Sequence, residues 1–209
     1  MLKTERTSVM NLENAIRGAR NPMNSWAKSD SAYDEAGNYI LGENDLALAK
    51  KLCRAGSDHR KFVRQILVSV DITAPLYWWK EFDTYKVGTV ANSCSTMHRV
   101  HSKTFTRDDF SHDRLDEGGL AALDALIVYL EAERQKFVAD KTDRQSWHNI
   151  IQLLPSSYNQ MRTVSLNYEN LINIYYARRN HKLAEWHTLC DWILTLPYAT
   201  DLIAVKGES

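Results

Sequence analysis

The sequence predicts a fold that contains both strands and helices, because strand and helix periodicities occur in separate segments. The run Gln65–Ile72 is rich in β-branched residues and suits a pleated, largely buried strand. Apolar residues recur at helical spacing from Glu117 to Phe137, which predicts a long packing helix. A further helix is indicated over Asp143–Leu153, ending before Pro155.

Length and composition bound the possible functions. With 209 residues, of which 44% are hydrophobic, the chain can bury one substantial core, so we expect a single domain over residues 1–209. The 26 basic and 26 acidic side chains cancel, which removes the electrostatic case for a nucleic-acid or membrane partner. No apolar run approaches the roughly 20 residues of a membrane span. The N-terminus also lacks the hydrophobic core of a signal peptide.

The three cysteines, Cys53, Cys94 and Cys190, share no metal-type spacing. Three thiols without such spacing are typical of a reduced protein, so we expect a cytoplasmic chain with no metal site.

We expect the segment Gln65–Val100 to organise the rest of the chain. Thr73 offers a side-chain oxygen as the cap of a new helix, and Pro75 suits the first turn of that helix. Gly88 is the predicted end of the helix. The apolar surface of this helix consists of Leu76, Tyr77, Trp78, Trp79 and Phe82.

Small polar residues follow from Thr89 to Thr96, and two interpretations of them stay open. They are either a turn leading into a strand or backbone that approaches a ligand closely. A short basic patch comes next: His98, Arg99, His101 and Lys103. This patch is either a solvated strand face or a phosphate contact.

The N-terminal third is harder to interpret. Ser8–Ala19 is predicted to be a short helix, and residues 20–43 are rich in turn formers. A second helix is predicted from a cap at Asn44 to a stop at Gly56. His59 then lies in a loop, where a lone histidine is more often a surface residue than a ligand.

Three asparagines and an arginine recur in the C-terminal third: Asn167, Asn170, Asn173 and Arg178. We expect them on one helix, where residues three and four apart share a face and where residues 167 and 178 point the same way. Asparagine suits the edge of a uracil-like base, and arginine suits a phosphate. The alternative is an ordinary amphipathic helix with polar surface residues.

The chain resembles the flavin-dependent thymidylate synthases. In that family a strand, an Ala-Pro step and an aromatic helix lead to an Arg-His-Arg signature and then to a Ser/Asn-rich segment. Here the signature positions are Thr84-Tyr85-Lys86. Thr89 stands for the first serine of the segment, and Asn92 and Ser95 match once one residue is inserted.

The C-terminal third carries the second part of the resemblance. Leu153-Leu154-Pro155 is similar to the leucine-proline turn that precedes a strand and a helix in the family. Asn167, Asn173 and Arg178 fall at the intervals of the family's helix, and Ala184-Glu185-Trp186 resembles the segment after it. The resemblance covers residues 44–196 and leaves residues 1–43 as an N-terminal extension of unknown role.

The resemblance implies an α/β (α+β) fold with a central mixed sheet flanked by long helices, and a homotetramer with active sites between subunits. It implies bound FAD and the reductive methylation of dUMP or a related pyrimidine nucleotide. Methylenetetrahydrofolate would be the carbon donor, NADPH the hydride source, and no cysteine nucleophile would be needed.

The site residues that the resemblance implies fall into three groups. The catalytic residues would be Ser95 and Asn92. The substrate-binding residues would be Arg178, Asn173, Lys86 and Glu81. The cofactor-binding residues would be Asn167, Asn173, His59, Thr89 and Tyr85.

Three positions depart from the family pattern: Thr84, Ile151 and Glu169 stand where basic residues are expected. Each lost charged hydrogen bond would weaken the binding of an anion by about 1.5–3 kcal/mol. Candidate replacements are Lys86, Arg99, Arg162 and Arg179. Three hypotheses therefore stay open: a divergent synthase, a binding protein without turnover, and a structural protein on the same scaffold.

Overall fold

The computed structural model describes residues 2–205 and contains both strands and helices. The strands within these residues are β1 (Lys3–Met10), β2 (Ala32–Tyr33), β3 (Tyr39–Ile40), β4 (Leu67–Pro75), β5 (Val90–Ser93) and β6 (Asn159–Asn167). The α-helices are α1 (Leu12–Arg20), α2 (Glu43–Arg54), α3 (Leu76–Phe82), α4 (Glu117–Ala139), α5 (Arg144–Leu153), α6 (Tyr168–Arg178), α7 (Ala184–Leu194) and α8 (Ala199–Leu202).

The described residues form two compact units, named here after their central helices. Within the described residues, the α4 unit contains residues 2–3, Ile72–Thr84 and Asn92–Thr163, and the α6 unit contains Thr4–Asp71, Tyr85–Ala91 and residues 164–205. The expected single domain over residues 1–209 stays a prediction.

The four longer strands form an antiparallel sheet in the order β1-β4-β6-β5, and β2 and β3 form a separate hairpin. Alternate residues of β4 are buried, which is the period of two expected of a strand with one face in the core. The expectation of strands and long helices is confirmed, whereas the sheet is antiparallel rather than mixed. The mixed sheet was implied by the family resemblance and did not come from a residue pattern of this chain.

The predicted helix start at Thr73 is wrong. The strand β4 continues through Pro75, whose extended backbone (φ −68°, ψ 150°) makes it the residue that precedes α3. A residue before proline is biased towards extended backbone, so Ala74 favours continuing the strand. The helix α3 ends at Phe82, and Gly88 lies six residues beyond it in a turn at φ +73°.

The prediction of a helix over Ser8–Ala19 is also corrected. The first strand, β1, occupies Lys3–Met10, and α1 starts only at Leu12, after Asn11 in a left-handed conformation (φ 69°). Strand β1 lies at an edge of the sheet and is mostly exposed, so it lacks the apolar alternation that marks a strand in sequence. The helix α2 begins at Glu43, one residue before its predicted cap.

The two predicted helices of the α4 unit are confirmed. Asp116 caps α4 by accepting a hydrogen bond from the Gly119 amide, and Asp143 caps α5 by accepting one from the Ser146 amide. The apolar stripe of α4 packs into a core made of Val100, Phe105, Phe110, Leu123, Leu130, Phe137 and Ile150. Within residues 2–205, every helix is too short or too polar to traverse a lipid bilayer.

A buried ion pair between α1 and α2 holds the N-terminal part of the α6 unit. The Nε of Arg20 lies 2.5 Å from Oδ1 of Asp45, and both side chains are almost fully buried. The second oxygen of Asp45 accepts hydrogen bonds from the hydroxyls of Ser29 and Ser31. The carboxylate therefore ties the turn-rich segment to both helices.

Replacing Asp45 with Asn should lower the free energy of unfolding by about 3–5 kcal/mol, because the buried Arg20 charge would lose its counter-ion. Urea denaturation of the two proteins measures this difference. Glu43→Gln is the matched control, since Glu43 is exposed on the same helix. Its effect should stay below about 1 kcal/mol, and an equal loss in both variants would contradict the role of the buried pair.

The same pair makes stability depend on pH. Burial alone would raise the pKa of Asp45, but hydrogen bonds from Ser31, Ser29 and Arg20 outweigh burial and lower it. A carboxyl with a lowered folded-state pKa stabilises the fold above its unfolded pKa and loses this contribution as the pH falls through the folded value. The difference in unfolding free energy between the parent and Asp45→Asn should therefore shrink below about pH 4.

Candidate functional site

The junction between β6 and α6 is built by two asparagines. Asn167 is the last residue of β6 and the N-cap of α6, and its Oδ1 accepts a 3.0 Å hydrogen bond from the Asn170 amide. Asn170 returns the contact, because its Oδ1 accepts a 3.1 Å hydrogen bond from the Asn167 amide. This is a reciprocal capping box. The prediction that Asn167 lies on the helix with Arg178 is therefore wrong.

The start of α6 also holds the segment Tyr85–Ala91. The Nδ2 of Asn170 donates a 2.6 Å hydrogen bond to the carbonyl of Val87. Gly88 follows at φ +73°, and a Cβ there would lie 3.2 Å from Nδ2 of Asn167 and from Oδ1 of Asn170. Both the backbone angle and the close approach require glycine at this position.

At the other end of α6, Arg178 is held by two aromatic rings. Its Nε donates a 2.8 Å hydrogen bond to the hydroxyl of Tyr85. Its Cζ lies 4.6 Å from the ring centroid of Trp186, which is fully buried on α7. The Tyr85 and Trp186 rings lie edge to face, with centroids 6.0 Å apart. Cation–π contacts of this kind orient a guanidinium, which is the planar group that binds phosphate or carboxylate best.

Glu169, which stands where a basic residue was expected, forms an ion pair. Arg60 approaches its carboxylate with Nη2 at 2.9 Å and Nε at 3.1 Å. The hydrogen bond to Glu169 raises the pKa of Arg60. The acidic residue and the nearby cation therefore neutralise each other within the α6 unit.

The other predicted residues of the α6 unit are mainly at the surface. Asn173 on α6 is exposed, as is Lys86. The Oγ1 of Thr89 is buried and has no hydrogen-bond partner among residues 2–205. His59 is exposed and lines a cavity of about 320 Å³ together with Lys61.

In the α4 unit, Asn92 lies on the exposed strand β5 and Ser95 in the turn after it. The Oγ of Ser95 accepts hydrogen bonds from the amides of Met97 (3.2 Å) and His98 (3.0 Å). The hydroxyl thereby folds a turn after β5. The small polar run itself contains β5, which the turn at Gly88 precedes, as in the interpretation of a turn leading into a strand. Glu81 is half-buried on α3.

Ser95 also lines a cavity of about 340 Å³, together with Arg99 and Lys103 of the predicted basic patch. Cys94 also lines this cavity and is attached to β6, because Nε2 of Gln160 on β6 donates a 2.7 Å hydrogen bond to the Cys94 carbonyl. The basic patch is a turn with a short 3-10 helix over Val100–Ser102, so the interpretation as a strand face is wrong.

Two of the three cysteines are chemically inert. Burial raises the pKa of the Cys53 thiol to about 12 and that of the Cys190 thiol to about 11. Cys94 is exposed. Within the described part of the chain, no group of His, Cys, Asp or Glu side chains is arranged to hold a metal ion.

Sequence reasoning did not find the partners of the predicted site residues, and the roles of those residues stay predictions. It placed Arg178 and Tyr85 but did not pair them, and it did not pair Arg60 with Glu169. One available signal was the Asn167-x-x-Asn170 spacing, which follows the pattern of a capping box directly before an apolar helix.

The fold is that of the flavin-dependent thymidylate synthases. Thymidylate synthase X from Helicobacter pylori, in a crystal structure with FAD and dUMP, has a TM-score of 0.69 at 16% identity, and the match covers 97% of each chain. A UMP/dUMP methylase from Streptomyces cacaoi, bound to 5-Br dUMP, has a TM-score of 0.66 at 12% identity, over 100% of this chain and 97% of the other. By sequence, the chain matches no protein-family model and no curated protein.

These structural matches are longer than the sequence resemblance. They cover 97% or more of this chain, whereas the resemblance rested on residues 44–196. At identities of 12–16% they establish the fold, and the chemistry must be argued from the residues of this chain.

The turn at Gly88 can be tested by two matched substitutions. Gly88→Ala should lower the free energy of unfolding more than Gly37→Ala does, as measured by urea denaturation. Both glycines have positive φ, +73° and +81°, so alanine costs about 1–2 kcal/mol of backbone strain at each. Only at Gly88 would the new Cβ also meet side-chain atoms within 4 Å. Equal losses would show that the contact with the asparagine pair contributes nothing.

Proposed function

We propose that this protein is a flavin-dependent enzyme that methylates dUMP or a related pyrimidine nucleotide. The observation that carries the proposal is the fixed position of Arg178, held by Tyr85 and Trp186 at the end of α6. Asn173 is exposed on the same helix and can offer its amide to the edge of a pyrimidine. The neighbours crystallised with FAD, dUMP or 5-Br dUMP support this assignment.

The donor chemistry of the α6 unit fits an anionic, planar ligand. Arg178 and Lys86 supply cations for phosphate, and Asn173 supplies an amide for a ring edge. The buried Thr89 Oγ1, which has no partner among residues 2–205, is a polar atom that a ligand could satisfy. We propose that Tyr85, Thr89, Asn173, His59 and Asn167 contact the cofactor, and that Arg178, Asn173 and Lys86 contact the nucleotide.

In the α4 unit we propose Glu81 as a substrate contact and Ser95 and Asn92 as the catalytic residues. The Ser95 oxygen accepts two amide hydrogen bonds, so its position is fixed while its own proton remains a donor. FAD, when bound, would supply the hydride transfer, with NADPH and methylenetetrahydrofolate as co-substrates. The chain's own residues would bind and orient the nucleotide.

A second candidate function is nucleotide or flavin binding without turnover. This function is favoured because two positions where the family resemblance implies a basic residue carry none. One is Thr84, and the other is Glu169, which is paired with Arg60. Of the four candidate replacements, Arg162 forms a 2.8 Å ion pair with Asp83, and Arg99, Lys86 and Arg179 are exposed.

We also propose that the chain assembles as a homotetramer, with α4 in the subunit contact. This helix is apolar on more than one face, and Val128 is 71% exposed beside Tyr129. A helix that is apolar all round is normally covered by other protein.

Val128→Glu should split the oligomer into smaller species without unfolding the chain, because a charge at an apolar contact is costly to bury. Light scattering after size exclusion gives the mass, and Gln152→Glu, exposed on α5, is the control that should leave it unchanged. A parent protein that is already monomeric would refute the proposed assembly.

Nucleotide binding tests the role of Arg178. Arg178→Ala should weaken dUMP binding by roughly tenfold or more, because a charge-assisted hydrogen bond contributes about 1.5–3 kcal/mol. Isothermal titration calorimetry measures the affinity, and Arg54→Ala, an exposed arginine of the same unit, is the control. Unchanged affinity in Arg178→Ala would remove the argument for a nucleotide site on α6.

Visible absorbance after incubation with FAD and desalting separates the two candidate functions. A retained flavin spectrum that changes when dUMP is added under reducing conditions supports the enzyme. A colourless protein that still binds dUMP supports binding without turnover.

A further inference from the structure

A second cavity of the α6 unit lies beside the hairpin β2–β3 and has a volume of about 260 Å³. It is lined by two arginines and three aromatic residues, Arg17, Arg20, Trp26, Tyr33 and Tyr39, among others. None of the residues proposed above for nucleotide or cofactor lines it. We call it the Arg20 cavity.

The hairpin brings two aromatic rings to one side. Tyr33 and Tyr39 are direct partners in the β2–β3 register, so their side chains lie on the same face. Their ring centroids are 5.2 Å apart. Tyr33 is 58% exposed, and Trp26, in a short 3-10 helix before the hairpin, is 40% exposed. These rings offer apolar surface that a planar molecule can cover.

Arg20, one of the residues that line the cavity, carries an unsatisfied donor. The side chain is 4% exposed, its Nε is bound to Asp45, and its Nη1 donates a 3.3 Å hydrogen bond to the Ser25 carbonyl. Its Nη2 is buried and has no acceptor among residues 2–205. A buried donor without an acceptor costs about 1–3 kcal/mol, so a group that supplies one is bound favourably.

Arg17 offers a second guanidinium to an acceptor in the Arg20 cavity. Arg17 and Arg20 lie three residues apart on α1 and therefore share a face. Arg17 forms no ion pair within residues 2–205, and its Cζ lies 5.4 Å from the Trp26 ring centroid. Glu13 also lines the cavity and accepts from the Tyr33 hydroxyl, and Asp45 accepts from Arg20, so the two carboxylates balance the two guanidiniums. The preference for an anion therefore rests on the guanidinium donors that have no acceptor among residues 2–205, not on net charge.

We propose that the Arg20 cavity binds a small aromatic carboxylate. The ring packs against Trp26 and Tyr33, and the carboxylate accepts hydrogen bonds from Nη2 of Arg20 and from Arg17. Guanidinium and carboxylate match in shape and charge, and the exposed rings exclude water from one side of the pair.

Calorimetric titration of the full chain with benzoate tests the proposal. Benzamide has the same ring without the charge, and acetate has the charge without the ring. We expect benzoate to bind at least roughly tenfold more tightly than either, since each lost interaction is worth about 1.4 kcal/mol. Equal binding of benzamide and benzoate, or no binding of benzoate at millimolar concentration, would overturn the proposal.

Variants assign the binding to this cavity. Arg17→Gln and Trp26→Ala change exposed side chains, so the fold should survive, as circular dichroism can verify. Each should weaken benzoate binding by roughly tenfold. Lys28→Gln, an exposed change in the same short helix as Trp26, should leave it unchanged. Parent-like affinity in both Arg17→Gln and Trp26→Ala would place the benzoate elsewhere and refute the assignment.

Discussion

The reciprocal hydrogen bonds between Asn167 and Asn170 determine how the α6 unit is arranged. They stop β6 and start α6 at one residue, which sets the direction of the helix. The same Asn170 holds the Val87 carbonyl, and eight residues later Arg178 holds Tyr85. Those two helix positions are about 12 Å apart along the axis. The segment Tyr85–Ala91 is thus attached to α6 near both ends of the helix. Tyr85 and Val87 are too close in sequence for the backbone alone to span this distance, and the long tyrosine side chain covers the remainder.

The accuracy of the sequence-based predictions depended on how local each signal was. The helices α4 and α5 follow from apolar spacing and capping aspartates within a few residues, and both are confirmed. The strand β1 lies at a sheet edge and is exposed, so its residues carry no pattern to detect. The end of β4 was misplaced because Thr73 is a good cap by type, while the Ala74-Pro75 step favours extended backbone.

Contacts between residues far apart in sequence were beyond the reach of sequence patterns. Arg20 pairs with Asp45 over 25 residues, and Arg60 pairs with Glu169 over 109. In a sequence each member looks like an ordinary charged surface residue. Arg178 was identified because its interval from Asn167 resembles the family's, yet the ring of Trp186 beside it follows only from the packing of α7. Spacing therefore predicts a role for Arg178 that stays a prediction, and the tertiary structure supplies the contacts that hold it.

Position 169 carries a glutamate where the family resemblance implies a basic residue, and its partner Arg60 explains why. Both side chains are largely buried, at 13% and 18% exposure, and an isolated charge there would be strongly destabilising. A basic residue at position 169 would face Arg60 as a like charge. The acidic residue instead accepts hydrogen bonds from both Nε and Nη2 of one guanidinium. Cations for a phosphate must then come from other positions, which is why Arg178 and Lys86 carry the proposed site.

The asparagines of this region have two separate explanations. Asn167 and Asn170 are accounted for by folding alone, because their amides cap α6 and hold the Val87 carbonyl. Asn173 is exposed in the helix interior, where asparagine is less favourable than alanine by several tenths of a kcal/mol. Folding gives no reason for an amide at that position, whereas recognition of a pyrimidine edge does. Among the three, Asn173 is therefore the residue whose presence argues for a ligand.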